Sequence, residues 1–310
     1  MDLVTYTADR LLPVCIEILS PVFGGKARAE AMEALACITG SSVLKIRLGS
    51  ESILLSETER DMVIDACRRR AAREPIQYIT GKAFFMYDEF VVGPKVLIPR
   101  ADTERLVEKA VEICLKLVSE TSDPCGPVRF IEFCTGSGCV SVSFVKAVMN
   151  AGGHASGVAS DISDEALSYA GENIRRLGMG EFIETVRHDM LSGNFDDLAD
   201  RYGDFDLLII NPPYIPSDVI SGLEPEVCAN EPRIALDGGA DGLDFYRAAV
   251  QASFKLLRNG GYLTAETGYD QAGAVAGILE ESALFCDIRA AKDHSGHYRV
   301  VSARMTGRKH

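Results

Sequence analysis

The four residues Asn211-Pro212-Pro213-Tyr214 are the part of this chain best suited to chemistry on a flat nitrogen. Pro212 and Pro213 carry no amide hydrogen, so their carbonyls are left as acceptors, and Asn211 adds a side-chain carbonyl. Two acceptors side by side match the two N–H donors of a planar amino group, and Tyr214 can lie against the flat face beside it. The nitrogen of an amide or an aniline is a poor nucleophile because its lone pair is delocalised. Acceptors that take its hydrogens return electron density to it. Alignment with an electrophile, worth roughly 7–11 kcal/mol, supplies the rest without a strong base.

A second constellation lies upstream. Glu132-Phe133-Cys134-Thr135-Gly136-Ser137-Gly138 follows a strand-like run and opens a helix-like one. Such a turn is where doubly wound sheets bind nucleotides, and its glycines let backbone approach a ligand. Asp161, at the end of the next strand-like run, can accept both ribose hydroxyls of an adenosine. His188-Asp189-Met190 ends the third, where Asp189 can meet an adenine amino group and Met190 can pack on the ring. A dinucleotide fingerprint needs a third glycine where Ser141 stands, so S-adenosylmethionine fits better than NAD. Its cationic sulfonium also suits acidic surroundings.

These residues need elements to hold them. The first 75 residues read as helices. One spans Ala27 to Ile38; another opens at Ser56 with a capping box closed by Glu59 and must end near Pro75. Arg68-Arg69-Arg70 falls in its last turns, where cations suit the helix dipole. From Tyr78 to Ile98, aromatic and β-branched residues punctuated by glycines predict one or two hairpins. Thr103 to Leu117 reads as an amphipathic helix. Beyond Pro127, strands and helices alternate: strands at 128–134, 155–160, 182–186, 205–210, 261–265, 286–290 and 298–303, and helices at 139–148, 165–177, 243–257 and 272–281. The pattern predicts an α/β domain with a mostly parallel sheet covered on both faces. The polar tail 304–310 is expected to fray.

A chain of 310 residues makes one large or two modest domains of roughly 150 residues each. The net charge is -13, and residues 88–310 carry all of the excess, with 21 basic and 34 acidic side chains. A protein that binds nucleic acid chiefly through phosphate neutralisation leans the other way. The nine cysteines are scattered without a CxxC, which reads as reduced thiols rather than a disulfide framework or zinc site. No signal pattern opens the chain and no run approaches 18 apolar residues, so the cytoplasm is the expected location and no membrane partner is expected. Cys139 reads as a small buried residue, and His294 and His297 as surface or loop residues.

The glycine turn, Asp161 and Asn-Pro-Pro-Tyr together resemble a class I methyltransferase acting on a planar nitrogen. Three further stretches resemble the HemK/PrmC family, the protein-glutamine methyltransferases of translation release factors: Glu74-Pro75-Ile76-Gln77-Tyr78-Ile79-Thr80-Gly81, Leu97-Ile98-Pro99-Arg100-Ala101-Asp102-Thr103-Glu104, and Glu231-Pro232-Arg233-Ile234-Ala235-Leu236-Asp237-Gly238-Gly239. The resemblance implies a helical substrate-docking domain over 1–77, a β-hairpin linker over 78–100 and a Rossmann-like S-adenosylmethionine domain over 101–305. It implies methyl transfer to the side-chain nitrogen of the glutamine in a release factor's Gly-Gly-Gln loop. Asn211 and the Pro212 carbonyl would grip the glutamine amide, with Pro213 and Tyr214 completing the pocket. Thr135 to Gly138 would line the methionine part of the cofactor, Asp161 would hold its ribose, and Asp189 and Met190 its adenine, with Glu132 and Cys134 also among the cofactor-binding residues. Asn211 would border both ligands, and Arg100 to Glu104 would help close the site.

The family turn usually begins Asp-x-Gly; here Glu132 keeps the charge and Cys134 replaces a glycine, which fits only with a negative φ. Two other targets stay open at this stage: a glutamine of a ribosomal protein, and an adenine amine in nucleic acid. A monomer acting without direct nucleic-acid contact is the expectation.

Overall fold

The computed structural model describes residues 6–49, 52–120, 126–293 and 295–307; Cys125, His294 and the last three residues of the tail lie outside them. The chain divides into two compact units, Met1–Lys82 with Glu224–Asn230, and Ala83–Leu223 with Glu231–His310.

The first unit is helical. A two-residue strand β1 (Tyr6–Thr7) pairs with β2 (Leu54–Leu55) around helices α1 (Ala8–Phe23), α2 (Ala27–Thr39), α3 (Val43–Gly49), α4 (Glu57–Ala71) and α5 (Ile76–Thr80). The expected capping box is present: Ser56 accepts from the Glu59 N–H while Glu59 accepts from the Ser56 N–H at 2.8 Å. Helix α5 takes up a stretch expected to open a hairpin. Pro75 presets its start, and Gly81 closes it in the left-handed region at φ 73°. The short segment α10 (Pro225–Cys228) belongs to this unit by packing although it lies far along the chain. Arg70, at the end of α4, is buried between Glu30 at 2.7 Å and Glu226 at 3.0 Å, over the Phe23 ring. The arginine run therefore does more than favour the helix dipole.

The second unit opens with a single hairpin, β3 (Lys82–Phe85) and β4 (Asp88–Val91). No second hairpin follows. Pro94 interrupts the ladder and Lys95 turns at φ 80°, yet Val92, Val96 and Ile98 still bury their side chains. Helix α6 (Glu104–Glu120) buries Leu106, Val107, Ala110, Ile113, Cys114 and Leu117, the expected apolar face. Then come β5 (Val128–Phe133), α7 (Cys139–Asn150), β6 (Ala155–Asp161), α8 (Asp164–Arg176), β7 (Ile183–Arg187), α9 (Asp196–Tyr202) and β8 (Phe205–Ile210). The series closes with α11 (Asp244–Leu256), β9 (Leu257–Glu266), α12 (Ala272–Glu281), β10 (Phe285–Lys292) and β11 (Tyr298–Met305).

Seven strands form one sheet in the order β10-β11-β9-β8-β5-β6-β7, mostly parallel as expected, with β11 antiparallel to both neighbours. Successive residues of a strand face opposite sides. Phe130, Leu207 and Ile209 enter one core, while Ile131, Phe133, Leu208 and Ile210 enter the other. Each such buried side chain contributes roughly 1.5–3 kcal/mol, which is why the central strands read as continuous apolar runs. The tail does not fray at residue 304. Met305 pairs with Phe285 and is buried, and Arg304 meets Glu120 at 3.1 Å.

Because β5, β6, β7 and β8 run parallel, their carboxyl ends share one edge. The chain winds outward from β5 to β7, then returns to add β8 on the other side of β5. A crevice at such a reversal is the binding place of doubly wound folds.

Candidate active site

The turn after β5 is braced from behind by Glu132. Its Oε2 accepts from the Thr135 hydroxyl at 2.8 Å, from the Ser141 N–H at 3.0 Å and from the Ser141 hydroxyl. Burial pushes this carboxyl up to about 7 despite those donors. Cys134 has φ 57°, against the negative value expected of a residue with a Cβ. That conformation costs roughly 1–2 kcal/mol; the turn retains it with Cys134 packed against the core beside β5. Burial and the nearby Asp161, Glu132 and Asp189 carboxylates hold its thiol well above the ordinary range, so it is no nucleophile. Cys139 is buried and pushed up to about 12, as befits a packing residue. His297 is an exposed loop residue.

Gly138 leads into α7 at φ 78°, where a Cβ would lie 3.2 Å from the Ala170 Cα of α8. Gly138→Ala should therefore lose about 2–3 kcal/mol, combining left-handed strain with overpacking. Urea unfolding measures this; a loss under about 0.5 kcal/mol, within the range of ordinary surface changes, would show that the turn relaxes freely. Asn173 of α8 ties the same turn to the hairpin, donating to the Ser137 carbonyl at 3.0 Å and the Val91 carbonyl at 2.9 Å.

Asp161 caps both sides of the crevice. Its Oδ2 accepts from the Gly136 N–H at 2.9 Å and its Oδ1 from the Ser163 N–H at 3.0 Å, and burial raises it above the usual carboxylate range. Asp189 accepts from the Leu191 N–H at 2.9 Å and so shapes the turn that buries Met190.

After β8, Pro212 and Pro213 are buried and Tyr214 is half-buried. Gln271 donates to the Tyr214 carbonyl at 2.8 Å, and Gly238 packs so closely that a Cβ there would stand 2.8 Å from the Pro213 carbonyl. The Asp237-Gly238-Gly239 stretch thus supports the Asn-Pro-Pro-Tyr turn from below. Asn211 donates through Nδ2 to the Thr103 hydroxyl oxygen at 3.1 Å. Burial and the neighbouring Glu266 push the Tyr214 phenol up to about 12, so it stays neutral.

A cavity of about 140 Å3 joins these turns. Cys134, Gly136, Asp161, Asp189, Met190, Asn211 and Pro213 stand on its wall. Glu132, Thr135 and Ser137 are buried behind the turn, and with Gly138 they are absent from the wall; the Glu132 carboxylate braces the turn from behind. Pro212, Tyr214 and Arg100 also lie off the wall, Arg100 being paired with the buried Glu231. Sequence reasoning missed Val96, Leu97, Phe245 and the imidazole of His188 as wall residues. The first three carry no chemical signature; proximity to Asp189 is the one signal that marks His188.

The wall fits S-adenosylmethionine. Two carboxylates face a largely apolar lining, and the buried His188 Nε2 has no partner among the described residues. Burial also pushes the His188 imidazolium below the ordinary histidine range, keeping the ring neutral. Lys95, the cation among the described wall residues, is already paired with Glu165 at 2.6 Å. A phosphate-bearing dinucleotide would find no free positive charge on this wall, whereas a sulfonium finds negative charge. Among the described residues no group of three His, Cys, Asp or Glu could hold a metal, and no helix is long and apolar enough to cross a membrane.

The sheet order, and the crevice at its carboxyl edge, define a class I methyltransferase fold. The catalytic domain of hMettl16, solved in complex with the MAT2A 3′UTR hairpin 6, shares that fold at a TM-score of 0.50 and 15% identity, over 79% of this chain and 83% of that one. The family description "PrmC N-terminal domain" matches residues 19–81. The release factor glutamine methyltransferase of Geobacter sulfurreducens is 40% identical over 77% of this chain and 78% of its own length. That of Moorella thermoacetica is 38% identical over 90% of each. The chain belongs to the release factor glutamine methyltransferase family.

Proposed function

We propose that this protein transfers a methyl group from S-adenosylmethionine to the side-chain amide nitrogen of the glutamine in the Gly-Gly-Gln loop of peptide chain release factors. One observation carries the reading: Asn211 and Pro213 stand on the wall of the same cavity as Gly136, Asp161 and Asp189. The acceptor for an amide and the carboxylates for an adenosine therefore serve one space. Family membership supplies the substrate class.

When bound, S-adenosylmethionine supplies an electrophilic methyl on a cationic sulfonium. Asp161 would hold its ribose, Asp189 and Met190 its adenine, and the backbone of Cys134 and Gly136 its methionine end. The chain's own part in the reaction is orientation. Asn211 accepts one amide hydrogen through Oδ1, and the Pro212 carbonyl accepts the other. The nitrogen lone pair is thereby freed from conjugation and aimed along the transfer line. Tyr214 walls the amide plane, and its neutral phenol adds no competing charge. The amide proton displaced by the methyl leaves to solvent, so no protein base is needed. The helical unit is the docking surface for the release factor, the reaction takes place in the cytoplasm, and the enzyme works as a monomer without contacting nucleic acid.

The test is mass spectrometry of an intact release factor after incubation with the enzyme and S-adenosylmethionine. One methyl is expected on the Gly-Gly-Gln glutamine and none on a factor carrying alanine there. A factor left unmodified by an enzyme that binds the cofactor would move the assignment to another protein glutamine, then to adenine in nucleic acid.

A further inference from the structure

Glu266 ends β9 beside the Asn-Pro-Pro-Tyr turn, and the reaction as described makes no use of it. Its carboxylate is 1% exposed, among the most deeply buried charges of the catalytic unit. Oε2 has no hydrogen-bond partner among the described residues. The hydroxyls of Thr103 and Tyr214 lie beside the carboxylate and favour its charged form, while burial opposes it; Arg299 also favours the charge and Asp102 disfavours it. Thr103, itself buried, receives the Asn211 Nδ2–H at 3.1 Å.

The donor inventory fixes the direction of this chain. An ionised carboxylate only accepts, and a threonine hydroxyl has one hydrogen to give. With that hydrogen turned to Glu266, the Thr103 oxygen is left as an acceptor. Asn211 must then present its NH2 side to Thr103, which turns Oδ1 away from it. Without the chain, an asparagine amide can rotate by half a turn and present donors where acceptors are needed. A substrate NH2 would then meet an NH2 group, an unpaired contact between two donors.

We propose that Glu266 and Thr103 are positioning residues that fix the Asn211 amide, Glu266 orienting the Thr103 hydroxyl and Thr103 holding the Asn211 NH2, so that Oδ1 faces the substrate amide. The proposal rests on the reading of Asn211 as acceptor for that amide. It explains why a carboxylate is kept buried at the end of β9: a neutral glutamine could donate to Thr103 and reverse the chain. It also sets selectivity, since a fixed acceptor favours a substrate bearing N–H over an isosteric ester or carboxylate.

The experiment compares wild type with Asn211→Ala, Thr103→Val, Thr103→Ser, Glu266→Gln and the Thr103→Val/Glu266→Gln double variant, all as full chains. Readouts are kcat and KM with an intact release factor, and calorimetric affinity for S-adenosylmethionine. Thr103→Val should lower kcat by about tenfold or more, the effect of losing one oriented hydrogen bond, with cofactor affinity within about twofold. Thr103→Ser, which keeps the hydroxyl, should recover kcat to within about threefold of wild type. Glu266→Gln should also lower kcat, and the double variant should be no worse than Thr103→Val alone, because one chain is broken only once. Undiminished kcat in Thr103→Val, a Thr103→Ser variant no better than Thr103→Val, or additive losses in the double variant would each overturn the chain. Undiminished kcat in Asn211→Ala would instead overturn the underlying reading of Asn211.

Discussion

Asn211→Ala is expected to lower the rate of methyl transfer by about 10²–10³, the cost of removing one preorganised hydrogen-bonding group from a developing transition state. Affinity for S-adenosylmethionine should stay within about threefold, because Asn211 is one wall residue among many around the cofactor space. The separation follows from what the side chain does. In the proposed reaction Asn211 borders the cofactor region by packing but meets the substrate by hydrogen bonding, and only the second interaction strengthens as the nitrogen becomes nucleophilic. Pro213 and the backbone of the turn are held independently by Gln271 and Gly238, so the truncation should leave the turn in place. Single-turnover methylation of an intact release factor, set beside calorimetric binding, measures both quantities. A variant that turns over within about threefold of wild type would remove Asn211 from the reaction.

The two halves of the site were legible to different degrees, for physical reasons. Asn211 to Tyr214 and the glycine turn are contiguous in sequence, so residue type and position after an apolar strand pointed directly to the chemistry proposed for them. Asp161 and Asp189 were recoverable because parallel strands place their carboxyl ends on one edge. Thr103 lies in the stretch read as closing the site, but its bond to the Asn211 amide was not legible, the two being 108 residues apart. Glu266 was not either. It ends a strand whose neighbour β8 is fixed by sheet order, and a lone glutamate after an apolar run looks like the start of a loop. Glu132 was read as a ligand group because the family turn begins with an acid, whereas its carboxylate is consumed by Thr135 and Ser141. Cys134 shows the limit of a steric rule: a left-handed turn tolerated a Cβ where packing repaid the strain. In the helical unit, which read as helices throughout, Pro13 and Pro21 inside α1 obscured the bounds of that helix. Between Val92 and Ile98, by contrast, strand-forming residues bury themselves without pairing, because Pro94 and the turned Lys95 break the ladder.

Stability should fall as pH rises from 5 to 8, opposite to the direction set by surface ion pairs. Glu132 and Glu266 are each held at about 7 by burial, against 4.5 for an ordinary glutamate. A carboxyl raised on folding binds its proton more tightly in the folded state. Its contribution is complete below the unfolded value and is lost as pH climbs through the folded one. Each group then removes about 2–3 kcal/mol between pH 5 and pH 8. Asp161 and Glu231, also raised by burial, act in the same direction, while other groups work at the acid end or in the opposite direction. Glu226, Asp237 and Asp293 are lowered by hydrogen bonds and ion pairs, so their stabilisation is lost at the acid end. His188 is lowered by burial, so its effect makes stability rise as pH increases toward the ordinary histidine range. The variants separate these contributions. Urea unfolding of Glu132→Gln and Glu266→Gln should show a pH slope flatter than wild type by that amount each, while the His188 and surface terms remain common to all three. Because a glutamine keeps one carbonyl acceptor, Glu132→Gln can still receive from Ser141 and Thr135, and its stability at pH 8 should equal or exceed that of wild type. Identical slopes in wild type and both variants would mean that the two carboxyls are charged throughout, and that the donors around them outweigh their burial. The same comparison bears on catalysis: a proton on Glu266 would free the Thr103 hydroxyl to turn toward Asn211. Loss of turnover below neutral pH should therefore track Glu266 and be absent from its glutamine variant, whose lower rate no longer depends on that proton.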